Sequence, residues 1–375
     1  MSETDRSSFL FSHTSPAAEL LTTTDPAPVV VGTGLISLDV VYGPTSGGAP
    51  VVAAGGTCGN VLAGLAFLGW DAFPVGRLAS DGAGDRIRED LARWRVNLEF
   101  TSLAPTSGSP VIIQRITRDA GGEVSHKFSL SCEECGRWLP TYAPVPAAVV
   151  KEVVSALPRP DACFIDRASA GALTLAEWAA DSGAVVYVEP SGRSTPAQLA
   201  RLFASAHVVK YSADHRSLVA QAKRYAGNDF DPVLEVETMG AAGLRYRLRG
   251  ERGWRATSAL RVPQIRDTAG AGDWCSVGIL HLAGQGGAAA LEQLSLDLVD
   301  EAIRVGQALS AWTCQYEGAR GGMYGTSRED LAASVERLLR HDPLSWVAGN
   351  GRTEGVATGA RVAVCRDCNH AASIG

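Results

Sequence analysis

Residues 266–278 read RDTAGAGDWCSVG. Four small residues, Ala269, Gly270, Ala271 and Gly272, lead up to Asp273. Small side chains let a backbone come close to a ligand. Asp273–Leu282 reads as a helix, with Asp273 at its start. The first amides of a helix have no partner inside it and carry partial positive charge, so they hold anions. A carboxylate at that spot can take a proton from an attacking hydroxyl. Phosphoryl transfer needs mainly positioning and charge stabilisation, so the pairing is chemically sufficient in outline. Asp is also a favoured N-cap, and the stretch alone leaves cap and catalyst both open.

The surrounding chain predicts the scaffold. Pro28 to Val41 reads PVVVGTGLISLDVV, a buried first strand followed by a glycine turn. GGTCGNVLAGLAFLG at 55–69 is a glycine turn opening a helix, and residues 85–94 are a second helix. Runs 111–116 and 124–130 flank the turn DAGGE and predict a hairpin. From about 148 onward, strands at 162–166, 184–190, 207–212 and 233–240 alternate with helices. A meander follows at 244–260, and 296–316 is again helical. Such alternation predicts an α/β fold, a mostly parallel central sheet with helices on both faces. Ligands then sit beyond the carboxyl ends of the strands.

Composition narrows the class. With 375 residues, 46% hydrophobic and 20% charged, the chain is globular. Its net charge of −6 argues against nucleic acid or an anionic membrane as partner. No apolar run reaches a membrane span, and the start lacks a secretory signal. A cytoplasmic protein with reduced thiols is expected. Ser, Thr, Pro and Asp make residues 1–27 read as a flexible lead-in. No G-x-x-x-x-G-K-[ST] is present, so a P-loop kinase is excluded, and Gly32-Thr33-Gly34 is a poor dinucleotide fingerprint.

Asp267-Thr268-Ala269-Gly270-Ala271-Gly272-Asp273 resembles the signature of the ribokinase-like, phosphofructokinase-B type carbohydrate kinases. Three further stretches resemble that family in the expected order. Gly55-Gly56-Thr57-Cys58-Gly59-Asn60 resembles its G-G-x-x-x-N turn, and Asp39 its acidic residue after the first strand. Thr238-Met239-Gly240-Ala241-Ala242-Gly243 resembles its T-x-G-x-x-G turn. The resemblance covers about residues 29–340. It implies Asp273 as catalytic base, with Gly270, Ala271 and Gly272 as the anion hole. It implies Asp39, Gly55, Gly56 and Asn60 as substrate-binding residues. Thr238, Gly240, Gly243, Asp267 and Thr268 would lie at the nucleotide. Each has a structural alternative: Asp39 as a turn residue, Asn60 as a helix cap. Asp85, in the echoing DGAGD at 81–85, reads as a helix cap and not a base.

The resemblance implies a ribokinase-like domain over 28–345 with a β lid drawn from about 38–52 and 100–135. Its cofactors would be ATP, Mg2+ and a monovalent cation such as K+. Gly318-Ala319-Arg320-Gly321-Gly322 would lie beside the adenine and that cation. Two departures stand out. Lys210-Tyr211-Ser212-Ala213-Asp214-His215 replaces the family's acidic stretch near magnesium, leaving Asp214 as the nearest carboxylate. Glu189-Pro190-Ser191-Gly192-Arg193 only loosely resembles its Asp-Pro-Asn-x-Arg turn.

Four of the eight cysteines form two C-x-x-C pairs, SCEECGRW with Cys132 and Cys135, and AVCRDCNH with Cys365 and Cys368. Together they predict one structural Zn2+ held by four thiolates, with the tail 346–375 packing on the lid. Two redox pairs, or unpaired surface thiols, are the other readings. His126 and His370 lie near enough in sequence to replace a thiolate. The expected activity is transfer of the γ-phosphate of ATP to a hydroxymethyl group of a sugar or nucleoside. The alternative is a regulatory protein that binds sugar or nucleotide without turnover. Gln114, Arg115 and His126 are expected to choose the acceptor, and a homodimer through the lid is expected.

Overall fold

The computed structural model describes residues 16–43, 50–119, 124–340, 361–365, 367–368 and 371–373. Its first strands are β1 (Val29–Thr33), β2 (Ser37–Tyr42), β3 (Val51–Gly55), β4 (Asp71–Pro74), β5 (Val111–Arg118) and β6 (Val124–Ser129). Next come β7 (Ala162–Ile165), β8 (Val185–Val188), β9 (Val208–Ser212), β10 (Leu234–Thr238), β11 (Leu244–Leu248) and β12 (Arg255–Thr257). A short pair, β13 (Arg361–Ala363) and β14 (Ala371–Ser373), ends the described chain. The helices begin with α1 (Pro16–Leu20), α2 (Thr57–Phe67), α3 (Gly82–Arg93), α4 (Ala147–Val153), α5 (Ala170–Asp181) and α6 (Pro196–Phe203). They continue as α7 (Arg216–Ala226), α8 (Ala271–Ala283), α9 (Gly287–Glu292), α10 (Leu296–Thr313), α11 (Gly321–Gly325) and α12 (Arg328–Leu339).

Eight strands form the central sheet in the order β12-β11-β10-β9-β8-β7-β1-β4. From β10 to β4 all neighbours are parallel, and β11 and β12 close the edge antiparallel. The apolar runs explain the burial. β7 and β8 are buried at every position, as parallel strands covered on both faces must be. Alternate side chains feed two cores. Val30, Phe164 and Tyr187 face one with α2, α8, α10 and α12, while Val31, Cys163 and Ile165 face the other with α5, α6 and α7. A second sheet, β3-β2-β5-β6, pairs β2 with β5 in parallel and its other neighbours antiparallel. The expected hairpin is its β5–β6 pair. The fold is α/β, a mostly parallel central sheet with helices on both faces, as expected.

Two local expectations are corrected. Part of the lead-in is structured: α1 lies inside residues 1–27, with Ala17 and Leu21 buried against the α12 side of the core. Its apolar PAAELL run supplies the contact, while residues 1–15 lie outside the described set. The second helix starts at Gly82, and its cap is Asp81, whose carboxylate accepts from the Gly84 amide at 2.8 Å. Asp85 instead sits exposed and pairs with Arg88 at 3.2 Å, far from any cleft-lining role. No helix among the described residues is long and apolar enough to cross a membrane.

α8 and α10 carry the site from below, and they touch through glycine. A Cβ on Gly278 would stand 2.6 Å from the Gly306 Cα. Trp274 and Trp312, both fully buried, close the same interface edge to face at 4.8 Å. Gly278→Val should therefore lower unfolding free energy in urea by about 1–3 kcal/mol through overpacking. An unchanged urea midpoint would show that the two helices can part at no cost.

Candidate active site

Glycine fixes where α8 begins. Gly270 is the N-cap, with φ +77° in the left-handed region that L side chains avoid. Its Cβ would also meet Ala319 at 2.6 Å. Asp273 is thus the third residue of the helix, not its cap. The Asp273 Oδ2 accepts a 2.7 Å hydrogen bond from Asn60 Nδ2. The other amide atom, Asn60 Oδ1, is buried without a partner among the described residues. Such an acceptor costs free energy unless something fills it.

The surroundings make Asp273 hard to ionise. Burial pushes its carboxyl up to about 7; nearby Glu189 adds to this, while Asn60 and then Lys210 oppose it. Glu189 pairs with Lys210 at 2.5 Å and accepts from Ser276 Oγ at 2.5 Å. Lys210 is fully buried in the middle of β9; burial works to lower its pKa, and Glu189 with the lesser charges around it raises it overall. This pair lies next to Gly272, within 3.8 Å of where a Cβ would sit. Asp166, at the end of β7, is pushed up to about 6 by burial, with Arg167 as its strongest counterweight.

On the far side, β2 presents Asp39. Its Oδ1 accepts from Ser37 Oγ at 2.7 Å. Burial pushes its carboxyl up to about 6, against Ser37 first and Arg320 second. Gly55 has to be glycine here, because a Cβ would lie 1.9 Å from Asp39 Oδ2. The turn between β3 and α2 therefore links both carboxylates. Gly55 and Gly56 abut Asp39, and Asn60 reaches Asp273.

Beside the start of α8 opens a cleft of about 790 Å3. Thr238, Gly240, Gly243, Thr268, Ala271 and Gly272 line its polar end. Ala259, Leu260, Val262, Ile265 and Ala311 line the apolar part. That is the size and lining of a small-molecule site. The sequence-predicted Asp267 is absent from the lining. It is fully buried, accepts from the Ala269 and Gly318 amides at 2.8 Å each, and holds the turn. The expected 318–322 loop is also absent from the lining. It braces the helix start instead: Trp274 Nε1 donates to the Ala319 carbonyl at 2.8 Å, and Arg320 is buried against Asp90 at 2.5 Å.

The second sheet touches the same turn. His126 Nε2 lies 2.7 Å from Thr268 Oγ1, its Nδ1 3.3 Å from Asp267 Oδ1, and Gln114 Nε2 donates to Asp267 Oδ2 at 3.3 Å. His126 therefore serves the turn and not the cysteines, and His370 lies outside the described residues. Arg115 points elsewhere, to Glu133. Asp214, expected as the nearest carboxylate, is exposed, whereas Glu189 lies close enough for its charge to raise Asp273. The Glu189–Lys210 pair is a contact that sequence spacing alone does not bring out. Its signal was a lysine inside the apolar strand HVVKYS.

Comparison with known proteins agrees with this architecture. The family described as pfkB family carbohydrate kinase matches residues 30–324. No curated protein sequence matches. The ATP-bound fructokinase of Xylella fastidiosa superposes with TM-score 0.64 at 19% identity, covering 82% of this chain and 98% of that one. The aminoimidazole riboside kinase of Salmonella enterica, with aminoimidazole riboside and an ATP analog, gives 0.62 at 22% identity, covering 82% and 99%. The Burkholderia thailandensis nucleoside kinase in complex with inosine gives 0.60 at 18%, covering 82% and 97%. At these identities the likeness is one of fold.

A carboxyl raised from 3.8 to about 7 on folding keeps its proton longer in the folded chain than in the unfolded one. Stability is then lost as pH rises through that window. Asp273→Asn should gain on the parent chain between pH 4 and pH 7, by on the order of 1–3 kcal/mol once solvent access to the site is allowed for. Urea midpoints at both pH values measure it, and a gap independent of pH would mean the carboxyl is not held neutral.

Proposed function

The chain belongs to the pfkB family of carbohydrate kinases, and from that membership we propose that it transfers the γ-phosphate of ATP to a hydroxymethyl group of a sugar or nucleoside. Asp273 is the catalytic base. The observation that carries this is the carboxylate on the first turn of α8, half-buried, raised to about 7, and adjoining the amides that line one end of the cleft. A base poised near neutrality is matched to taking a proton from an alcohol as the phosphoryl group arrives.

Asp39, with the Gly55-Gly56 turn and Asn60, orients the acceptor. The buried Asn60 Oδ1, without a partner among the described residues, supports this, because an acceptor hydroxyl would satisfy it. Asn60 also aligns Asp273, so acceptor and base share one amide. Gly270, Ala271 and Gly272 supply backbone for the phosphoryl charge. Thr238, Gly240, Gly243 and Thr268 border the phosphate end, and the apolar part of the cleft suits the adenine. Asp267 acts by positioning this turn.

Mg2+ keeps several waters and needs only one or two carboxylates besides the phosphates. Glu189, beside Gly272, fits that modest demand better than the exposed Asp214. Bound there with ATP, the ion would neutralise phosphate charge. Lys210 holds Glu189 in place. The lid strands β2, β3, β5 and β6 would exclude water once both substrates are bound, limiting ATP hydrolysis. His126 on Thr268 and Gln114 on Asp267 support this, since they join the lid to the phosphate end.

A coupled ADP-release screen across sugars and nucleosides should identify an acceptor. With it, kcat/KM should rise with pH through about 7, following Asp273. Asp273→Asn should lower kcat by about 10²–10⁴-fold while the protein remains folded. Near-normal turnover in that variant would end the assignment of Asp273 as base, and no acceptor-dependent ADP release in the screen would end the kinase assignment.

A further inference from the structure

The motif that the kinase chemistry does not use is the set of four cysteines. The Sγ atoms of Cys132, Cys135, Cys365 and Cys368 all lie within 4.8 Å of one another. Cys132 faces Cys368 at 3.6 Å and Cys135 faces Cys365 at 3.8 Å. A disulfide needs about 2.05 Å, so these are not bonded pairs. A tetrahedral zinc ion with Zn–S arms of about 2.3 Å would have S···S edges of about 3.8 Å. The Cys132–Cys368 and Cys135–Cys365 separations are close to those edges. Segments 230 residues apart have been brought to a spacing that suits a central ion better than direct bonding.

The local chain suits it as well. Gly136, at φ +70°, makes the tight turn after Cys135, and the Gly136 amide donates to the Cys132 carbonyl at 2.9 Å. Cys132 and Cys365 are buried while Cys135 and Cys368 are exposed. The site is therefore closed toward the core and open to solvent for loading. Val362 and Val364 are buried in the main core, so the tail strand is seated beside it.

Glu133, between the first two cysteines, continues the connection inward. It receives Arg115 of β5 through Nε at 2.9 Å and Nη2 at 2.6 Å. The Arg115 guanidinium also lies over the ring of its cross-strand partner Tyr42 of β2, 4.4 Å from the centroid. β2 is the strand that presents Asp39. We infer that the four thiolates hold one structural Zn2+, and that this ion clamps the C-terminal strand pair to the lid sheet that carries the acceptor site. Four thiolates with no open position fit a structural ion rather than a reactive one. The clamp closes a very long loop, so its loss frees much chain entropy.

The test is metal analysis of the purified full chain by mass spectrometry. One Zn2+ per chain is expected. Cys365→Ser and Cys368→Ser should lose it, while Cys163→Ala, whose thiol lies in the other core, should keep it. Replacement with Co2+ should give the visible bands of a tetrahedral thiolate site, and stripping the metal with a chelator should lower Tm. Iron in place of zinc, four freely titrating thiols without metal, or an intact mass showing two disulfides would each overturn the inference. None of these readouts uses turnover, so the result is independent of the kinase assignment.

Discussion

The seating of the first turn of α8 against the 318–322 loop is the constraint on which the site depends. Gly270 must adopt a left-handed conformation there, and its backbone packs directly on Ala319. Trp274 Nε1 donates to the same residue's carbonyl, and Asp267 ties the incoming turn to the Gly318 amide. These contacts set where the helix amides point and where Asp273 stands. A shift of one residue in the helix start would rotate the carboxylate by about 100°, away from Asn60.

Charge balance follows from that placement. Three carboxylates, Asp166, Glu189 and Asp273, gather near the carboxyl ends of β7 and β8 and the start of α8. Two cations, Arg167 and Lys210, are paired with the first two. Among the described residues Asp273 has no cation directly bonded to it and accepts from Asn60. Burial is the main reason its pKa is high. The negative charge of Glu189, and after it that of Asp166, works against ionisation there as well.

The second sheet links the site to the periphery. His126 and Gln114 meet the turn before α8, while Arg115 on the same strand pair reaches Glu133 in the first cysteine loop. Successive residues of a strand point to opposite faces, so neighbours 114 and 115 serve the cleft and the cysteine loop separately. Buried Arg320 joins another part of this frame, pairing with Asp90 near the β3 turn.

Strand–helix alternation, the DTAGAGD stretch and the paired cysteines were legible in the sequence, because each depends on local periodicity or fixed spacing. They determined a doubly covered parallel sheet, the helix start with Asp273, and the two cysteine turns. Other assignments needed the folded chain. Asp267 and Thr268 are adjacent, yet one turns inward to amides and the other lines the cleft. The family-like position of Asp214 is exposed, and a glutamate 25 residues earlier stands beside Asp273 instead. Asn60 meets Asp273 across 213 residues, and Cys132 meets Cys368 across 236. Sequence spacing carries no information about such meetings. They are set by how helices pack on the sheet, which only the tertiary structure decides.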